Sequence, residues 1–491
     1  MVSSVPNEAT LLTPFTLNTF EQAGIFRPGQ KNFTARKELL WEKSTFAAAV
    51  NRMEYPGNSS RRRITLEIYV VSSGDTVYQI ARRYSVSPES IIYANQLQNP
   101  NVLSVGQALI IPRSGPRHTV RRGDTLYSIA RRHGVSLQRL IAANPRLADP
   151  NRIYPGQTVI IPADRMSMRE IIVNGYITDA ADSTLTATLP YLTFLSPFSY
   201  RSDLSGNLTP TFNLDLSLSA ARRTANLLTL TNLKEAGGFS SQIAHAVLTD
   251  QSVQDAFLEN VEALLRRGGW YGVNVDFEYI YQFDRESYNQ FLRRLTERMH
   301  QLGYIVVTAL APKLSDSQQG LLYSAHDYAA HGRSADYVVL MTYEWGYLLG
   351  PAMAVAPISE VRKVLDYAAQ VIPAEKILMG VPNYGYDWTL PFAQGTAARP
   401  LTNIEAVTLA GQVGAGIRFD QAAQSPFFRY RGADGKQHEV WFEDARSLRA
   451  KYALVNEYGL AGVSFWNLNS LFRTNFIVLE SMFGVEKVLG I

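Results

Sequence analysis

Residues 270–279 read W-Y-G-V-N-V-D-F-E-Y, from Trp270 to Tyr279. The run from Gly272 to Phe277 is β-branched and apolar except for Asn274 and Asp276, which predicts a buried strand. Side chains alternate along a strand, so Asn274, Asp276 and Glu278 share one face and Val273, Val275 and Phe277 the other. Burying two acids and an amide costs free energy unless those groups are paired or used. Two readings compete. Either a neighbouring Arg or the backbone satisfies the carboxylates, or they form a working pair at the carboxyl end of a barrel strand, where such enzymes keep their chemistry.

Working outward, apolar runs alternate with amphipathic helices from Ile171 on, the pattern of a parallel sheet. The runs are Ile171–Ile177, Leu192–Pro197, Asn226–Leu230, Gly272–Phe277, Ile305–Leu310, Tyr337–Thr342, Ile377–Val381 and Gly462–Trp466. Asp284 and Gly303 bracket one helix, Ser359 starts another, and Asp444 and Gly459 bracket a third. The predicted fold is α/β, a (β/α)8 barrel over residues 168–491. Gly380 to Gly459 is too long for one connection. Its strand-like pieces Phe427–Tyr430 and Glu439–Phe442, around Ala433-Asp434-Gly435, predict an α+β insertion (residues 389–458) between strands seven and eight. In a barrel, residues at the carboxyl ends of different strands share one site. Those residues include Asp276, Glu278 and Tyr279 after strand four and Ala311-Pro312-Lys313 after strand five. Met341-Thr342-Tyr343-Glu344-Trp345 follows strand six, Pro382 to Trp388 follows strand seven, and Trp466 ends strand eight.

Upstream lies an internal repeat. Tyr69–Ser87 reads Y-V-V-S-S-G-D-T-V-Y-Q-I-A-R-R-Y-S-V-S and His118–Ser136 reads H-T-V-R-R-G-D-T-L-Y-S-I-A-R-R-H-G-V-S. Each copy continues through Asn95 or Asn144 to a second β-like run ending at Pro112 or Pro162. The unit is a strand, a Gly-Asp-Thr turn, two helices and a closing strand, over residues 64–114 and 115–164. Asp75 and Asp124 stand where a helix N-cap is wanted. Residues 1–63 lack periodicity and end in Arg61-Arg62-Arg63. They read as a tail, or as translated sequence ahead of a true start near Leu66, with the arginine codons standing for a purine-rich ribosome-binding site.

The chain has 491 residues, 46% of them hydrophobic and 18% charged, an ordinary composition for a folded protein. Without cysteine there is no disulfide framework, thiolate metal site or cysteine nucleophile. The histidines are scattered, so neither a metal nor any other cofactor is expected. No run is long and apolar enough to span a bilayer, and residues 1–30 lack the regions of a signal peptide. The formal charge of +4 is concentrated at Arg117, Arg121, Arg122, Arg131, Arg132, Arg139, Arg146 and Arg152. Such a patch could meet nucleic acid or an anionic polymer such as cell wall; a solvated face is the commoner explanation, and the expected partner is a glycan polymer, not nucleic acid.

Trp270–Tyr279 resembles the D-G-x-D-x-D-x-E signature of family 18 glycoside hydrolases, the chitinase family. Asp276 and Glu278 match its last two acids, while Tyr271 and Asn274 stand at the first two. Met341 and Tyr343 match the family's M-x-Y-D with Glu344 in place of the Asp, and Trp466 matches the tryptophan beneath the sugar. Both repeats resemble the LysM module, a βααβ unit that binds N-acetylglucosamine-containing glycans. The resemblance places the sugar along Gly74-Asp75-Thr76 facing Leu103-Ser104-Val105, and along Gly123-Asp124-Thr125 facing Ile153-Tyr154-Pro155. N-V-D-F-E, M-T-Y-E-W-G and two N-terminal LysM modules together look like the spore cortex-lytic N-acetylglucosaminidases of endospore-forming bacteria. This implies a place in the spore cortex or coat layer, or the cell wall.

A glycosidic oxygen leaves readily only when protonated, so a carboxylic acid with a raised pKa is needed. Glu278 lies roughly 7 Å from Asp276 along the strand, and an ionised Asp276 favours its protonated form. The resemblance implies that Glu278 is the acid and that the substrate's 2-acetamido oxygen is the nucleophile. It further implies that Asp276 orients that group as an oxazolinium forms, that Tyr343 hydrogen-bonds it, and that Trp466 floors it, with retention at the anomeric carbon. Asn274 can donate to Asp276 and keep it ionised. Tyr279, Met341, Glu344, Asn383 and Tyr384 are further candidates for contacting substrate. The expected activity is an N-acetylglucosaminidase on peptidoglycan; a chitinase and a non-catalytic glycan-binding protein are the alternatives.

Overall fold

The eight apolar runs close into one ring. The computed structural model of the chain describes residues 66–112, 117–144, 147, 149, 152–162, 169–433 and 435–490. The barrel strands, one to eight, are Glu170–Ile177, Phe194–Pro197, Ala225–Thr231, Gly272–Asp276, Ile305–Leu310, Tyr337–Leu340, Ile377–Pro382 and Gly462–Trp466. Each pairs in parallel with the next and strand eight pairs with strand one, closing the ring. Val273 and Val275 on the outward side of strand four, and Phe277 just past its end, pack with Phe257, Phe291 and Leu292 of the surrounding helices Gln251–Arg266 and Arg285–Gln301. That cover on the outer face is why the strand reads as a continuous apolar run.

Helix ends follow local chemistry, with corrections to the expected caps. Asp444 caps Ala445–Glu457 as expected, accepting from the N–H groups of Arg446 and Ser447, and Gly459 follows the helix at φ 69°. Asp284 precedes Arg285–Gln301 but makes no side-chain cap, because its carboxylate takes Nδ1 of His245 at 2.9 Å. Ser359 does not start its helix: Ile358–Val371 begins one residue earlier, after Pro357. In both repeats the caps are Thr76 and Thr125, not Asp75 and Asp124. Each Thr oxygen accepts the N–H three residues on, from Gln79 or Ser128, and each of those side chains returns a bond to the Thr backbone. The aspartates stand one residue too early for that geometry and brace the turn instead.

Between strands seven and eight, five antiparallel strands form a separate sheet in the order Arg399–Thr402, Tyr384–Leu390, Gln437–Trp441, Ser425–Arg431, Arg418–Asp420. The helix Asn403–Gln412 accompanies it. Trp441 stacks on Phe427 at 4.6 Å and donates to Glu439, anchoring this layer. The first repeat (strands Glu67–Val70 and Ala108–Ile111) packs against the barrel: its Leu66, Ala94 and Ile110 belong to the same apolar cluster as the barrel core. The expected tail at 1–63, Arg146 and Asp434 lie outside the described residues.

Candidate active site

Inside the ring, strand four contributes Asn274, Asp276 and, just past its end, Glu278; all three are buried. The amide of Asn274 donates to Tyr176 Oη at 2.9 Å and Ser196 Oγ at 3.1 Å. Its nitrogen is therefore directed to strands one and two rather than to Asp276, which corrects the expected Asn274–Asp276 bond. Ser196 passes the chain to Asn174, and Asn174 to Ser464, so a polar layer crosses strands four, two, one and eight. Burial raises Asp276 to about 7. The expectation that a bond from Asn274 keeps Asp276 ionised is thus replaced by a carboxyl that titrates near neutrality.

Glu278 carries the sharpest signal. Both of its carboxyl oxygens are buried without a hydrogen-bond partner. Burial, then the charges of Asp276 and Glu344, push its pKa well above the ordinary carboxyl value. The barrel's carboxyl end thus holds three buried carboxyl groups, two of which disfavour the ionisation of Glu278, an arrangement that keeps a proton available near neutral pH. The alternative that a neighbouring Arg satisfies these carboxylates finds no such ion pair among the described residues.

Strands six and seven face this group. Tyr343 is buried, its hydroxyl pKa raised by burial and by the neighbours Tyr176, Asp276 and Glu278. Its ring lies where a Cβ on Gly380 would come within 2.8 Å, so the glycine makes room for it. Glu344 accepts from the hydroxyls of Tyr384 and of Tyr386 (2.9 Å) with one oxygen, while its other oxygen is buried and unpartnered. Burial raises Glu344 to about 7 against the pull of those two hydroxyls. Tyr279 and Glu344 both sit at positive φ, 55° and 67°, a strained setting for non-glycine residues that recurs at functional sites. Trp466 is buried edge-to-face with Phe198 at 4.8 Å. Met341 lies in the apolar core. Asn383 directs its amide nitrogen to the carbonyls of Asn467 and Ser470, beyond strand eight.

In the repeats, Gly74 and Gly123 turn at φ 83° and 87° with open space around them. Asp75 accepts from Tyr69 Oη at 2.6 Å and from the Ser72 N–H. Asp124 accepts from His118 at 2.9 Å and from the Arg121 N–H, which hold its carboxyl down to about 2. The facing loops differ: Tyr154 is exposed, whereas Ser104 is buried and the Val105 carbonyl accepts from Ile417 of the insertion. Of the basic patch, Arg139 is buried rather than solvated, and Arg132 pairs with Asp124 at 3.2 Å.

Sequence reasoning missed Tyr176, Ser196 and Asn232, and placed Tyr386 only within the run after strand seven. A signal existed for the first two, since polar side chains interrupt otherwise apolar runs on strands one and two. Asn232 gave none, because its partner Glu278 lies far away in the chain.

The profile of Glycosyl hydrolases family 18 matches residues 229–470, and that of the LysM domain matches residues 69–112 and 118–162. The chain is 44% identical over 432 residues to a cortical fragment-lytic enzyme of Bacillus subtilis (strain 168), covering 86% of this chain and 99% of that one. The crystal structure of the Bacillus megaterium spore cortex-lytic enzyme SleL superposes with a TM-score of 0.74 at 37% identity, over 87% of this chain and 100% of that one. A chitinase from Chromobacterium violaceum superposes with a TM-score of 0.60 at 28% identity, over 63% of this chain and 98% of that one. With the barrel, its buried carboxyl group and both repeats accounted for, the chain belongs to the family 18 glycosyl hydrolases, as a glycosidase that carries two LysM domains ahead of its catalytic barrel.

Proposed function

We propose that this glycosidase cuts the glycan strands of peptidoglycan, in spore cortex or its fragments, on the reducing side of N-acetylglucosamine. The buried, unpartnered carboxyl of Glu278 carries this reading. Glu278 gives its proton to the glycosidic oxygen while the acetamido oxygen of the same sugar attacks the anomeric carbon, breaking the old bond and forming an oxazolinium. Asp276, once ionised, stabilises that cation, and Tyr343 and Glu344 line its surroundings. Water then adds at the anomeric carbon and returns its proton to Glu278, which leaves the configuration retained. Trp466 floors the sugar, Tyr279 and Tyr384 border it, and Asn274, Met341 and Asn383 shape the site from behind. We take the modules to span 64–114 and 115–164 and the barrel 168–491, with the insertion, expected at 389–458, beginning earlier because its sheet already includes Tyr384–Leu390.

The Gly-Asp-Thr turns at Gly74-Asp75-Thr76 and Gly123-Asp124-Thr125 present backbone to N-acetylglucosamine, and tethering through two modules raises local substrate concentration. The likeness to cortical fragment-lytic enzymes supports spore peptidoglycan over chitin. In muramic δ-lactam the nitrogen is locked in a ring and cannot assist, so cleavage is expected after N-acetylglucosamine. Mass spectrometry of muropeptides released from spore sacculi tests this: N-acetylglucosamine reducing ends are expected, and muramic-type ends overturn it. Faster release from chitin oligomers than from cortex fragments would favour the chitinase reading.

A further inference from the structure

Glu278 lies beyond the sheet that aims it. The ladder from strand four ends at Asp276↔Thr231 on one side and Val275↔Thr308 on the other. No ladder bond is therefore left for the backbone of residues 277–279, and Glu278's own carboxyl oxygens have no partner to fix their direction. Side chains take over that task. Asn232, the residue after strand three, accepts the Glu278 N–H with Oδ1 at 3.0 Å and donates Nδ2 to the Glu278 carbonyl at 2.8 Å. The same Nδ2 also donates to the Ser240 carbonyl at 3.0 Å, and Asn232 has no exposed surface. Its amide orientation follows from its partners, since only the oxygen can accept the N–H and only the nitrogen can donate to two carbonyls. His326 holds the residue before: Ala311 N–H donates to its Nδ1 at 2.8 Å, so Nε2 carries the proton and donates to the Phe277 carbonyl at 3.0 Å. Ser241 Oγ donates to the Tyr279 carbonyl on the other flank.

We propose that Asn232 is a positioning residue for the acid, clamping both backbone polar groups of Glu278 in place of a sheet ladder, with His326 and Ser241 holding the residues on either side. This rests on the reading of Glu278 as the proton donor. An amide is needed because only a group with a donor and an acceptor on one planar head can bind both the N–H and the C=O of one residue. Such a clamp governs where the proton is delivered, and displacement of a reacting group by about 1 Å costs about 100-fold in rate.

Two variants of the full chain, each run beside Glu278→Gln, test it. Asn232→Ala is expected to lower kcat on soluble peptidoglycan fragments 10- to 100-fold (about the cost of such a displacement) with KM little changed. On a dinitrophenyl β-glycoside of an N-acetylglucosamine oligomer, whose leaving group barely needs a proton, its loss should be several-fold smaller. An equal loss on both substrates, or none, overturns the proposal. Asn232→Asp keeps the shape: protonated at acid pH it still donates and accepts, whereas ionised it sets a charge against two carbonyls. Burial raises such a carboxyl's pKa, so this variant should be near parental at acid pH and fail as pH rises, its alkaline limb falling at least one pH unit earlier. Coincident pH profiles for Asn232→Asp and parent overturn the clamp, even if Asn232→Ala does not fold. An active Glu278→Gln would instead overturn the acid assignment itself, which separates the two failures.

Discussion

At the scale of single residues, the proposed chemistry rests on carboxyl groups whose pKa values burial raises. Replacing Glu278 by Gln preserves shape and removes the proton; turnover of peptidoglycan fragments is expected to fall about 10²- to 10⁴-fold, the usual worth of a positioned general acid. The pH profile should be displaced upward. The proposed mechanism needs Asp276 ionised and Glu278 protonated, so kcat/KM should rise through the Asp276 value of about 7 and fall only where Glu278, raised by burial and by its acidic neighbours, gives up its proton. A rising limb near pH 4 would contradict this. The same shift carries a stability cost. The folded value of Asp276, about 7, lies above the ordinary carboxyl value of 3.8, so its contribution is fully present below about pH 4 and is lost as pH climbs through 7. Asp276→Asn should therefore raise the melting temperature at pH 8 more than at pH 4, measured by thermal unfolding.

At the scale of elements, the first helix of each LysM module is started by a threonine. Thr76→Ala or Thr125→Ala removes a cap worth about 0.5–2 kcal/mol and should weaken retention on sacculi through fraying of the module, with turnover of soluble fragments unchanged. Sedimentation with insoluble peptidoglycan separates this from loss of a sugar contact, because added glycan oligomer should restore the melting transition of a frayed module. The two modules are not equivalent. The Val105 carbonyl in the first is bonded to the insertion at Ile417, whereas Tyr154 at the matching loop of the second stands in solvent.

At the scale of the molecule, the first module is docked on the catalytic unit. Gln96 donates to the Leu471 carbonyl and accepts from the Arg473 N–H, Arg473 lies over the Tyr93 ring at 4.3 Å, and Arg446 donates to the Gly106 carbonyl. Gly106 turns at φ 84°, and a Cβ there would sit 1.8 Å from the Ile417 carbonyl oxygen. Gly106→Ala should therefore break this contact and cost at least about 1 kcal/mol. Hydrogen exchange should rise in the strand Ala108–Ile111 and around Ile417, while hydrolysis of soluble fragments persists. Unchanged protection would mean the docking is not held at this point.

The sequence alone determined the ring of eight strands, the insertion, the two modules and the acids at 276 and 278, because each is written in local periodicity or in contiguous residues. Alternation in V-N-V-D-F-E placed Asp276 and Glu278 on the interior side, and a paired Gly-Asp-Thr fixed the repeat. Only tertiary structure decided where Asn274 sends its amide, which residue holds Glu278, and which caps the module helices take. Tyr176 is 98 positions from Asn274 and Asn232 is 46 from Glu278. No periodicity reports a hydrogen bond between strands that only barrel closure makes neighbours, and a one-residue shift between Asp75 and Thr76 is settled by backbone angles rather than by residue type.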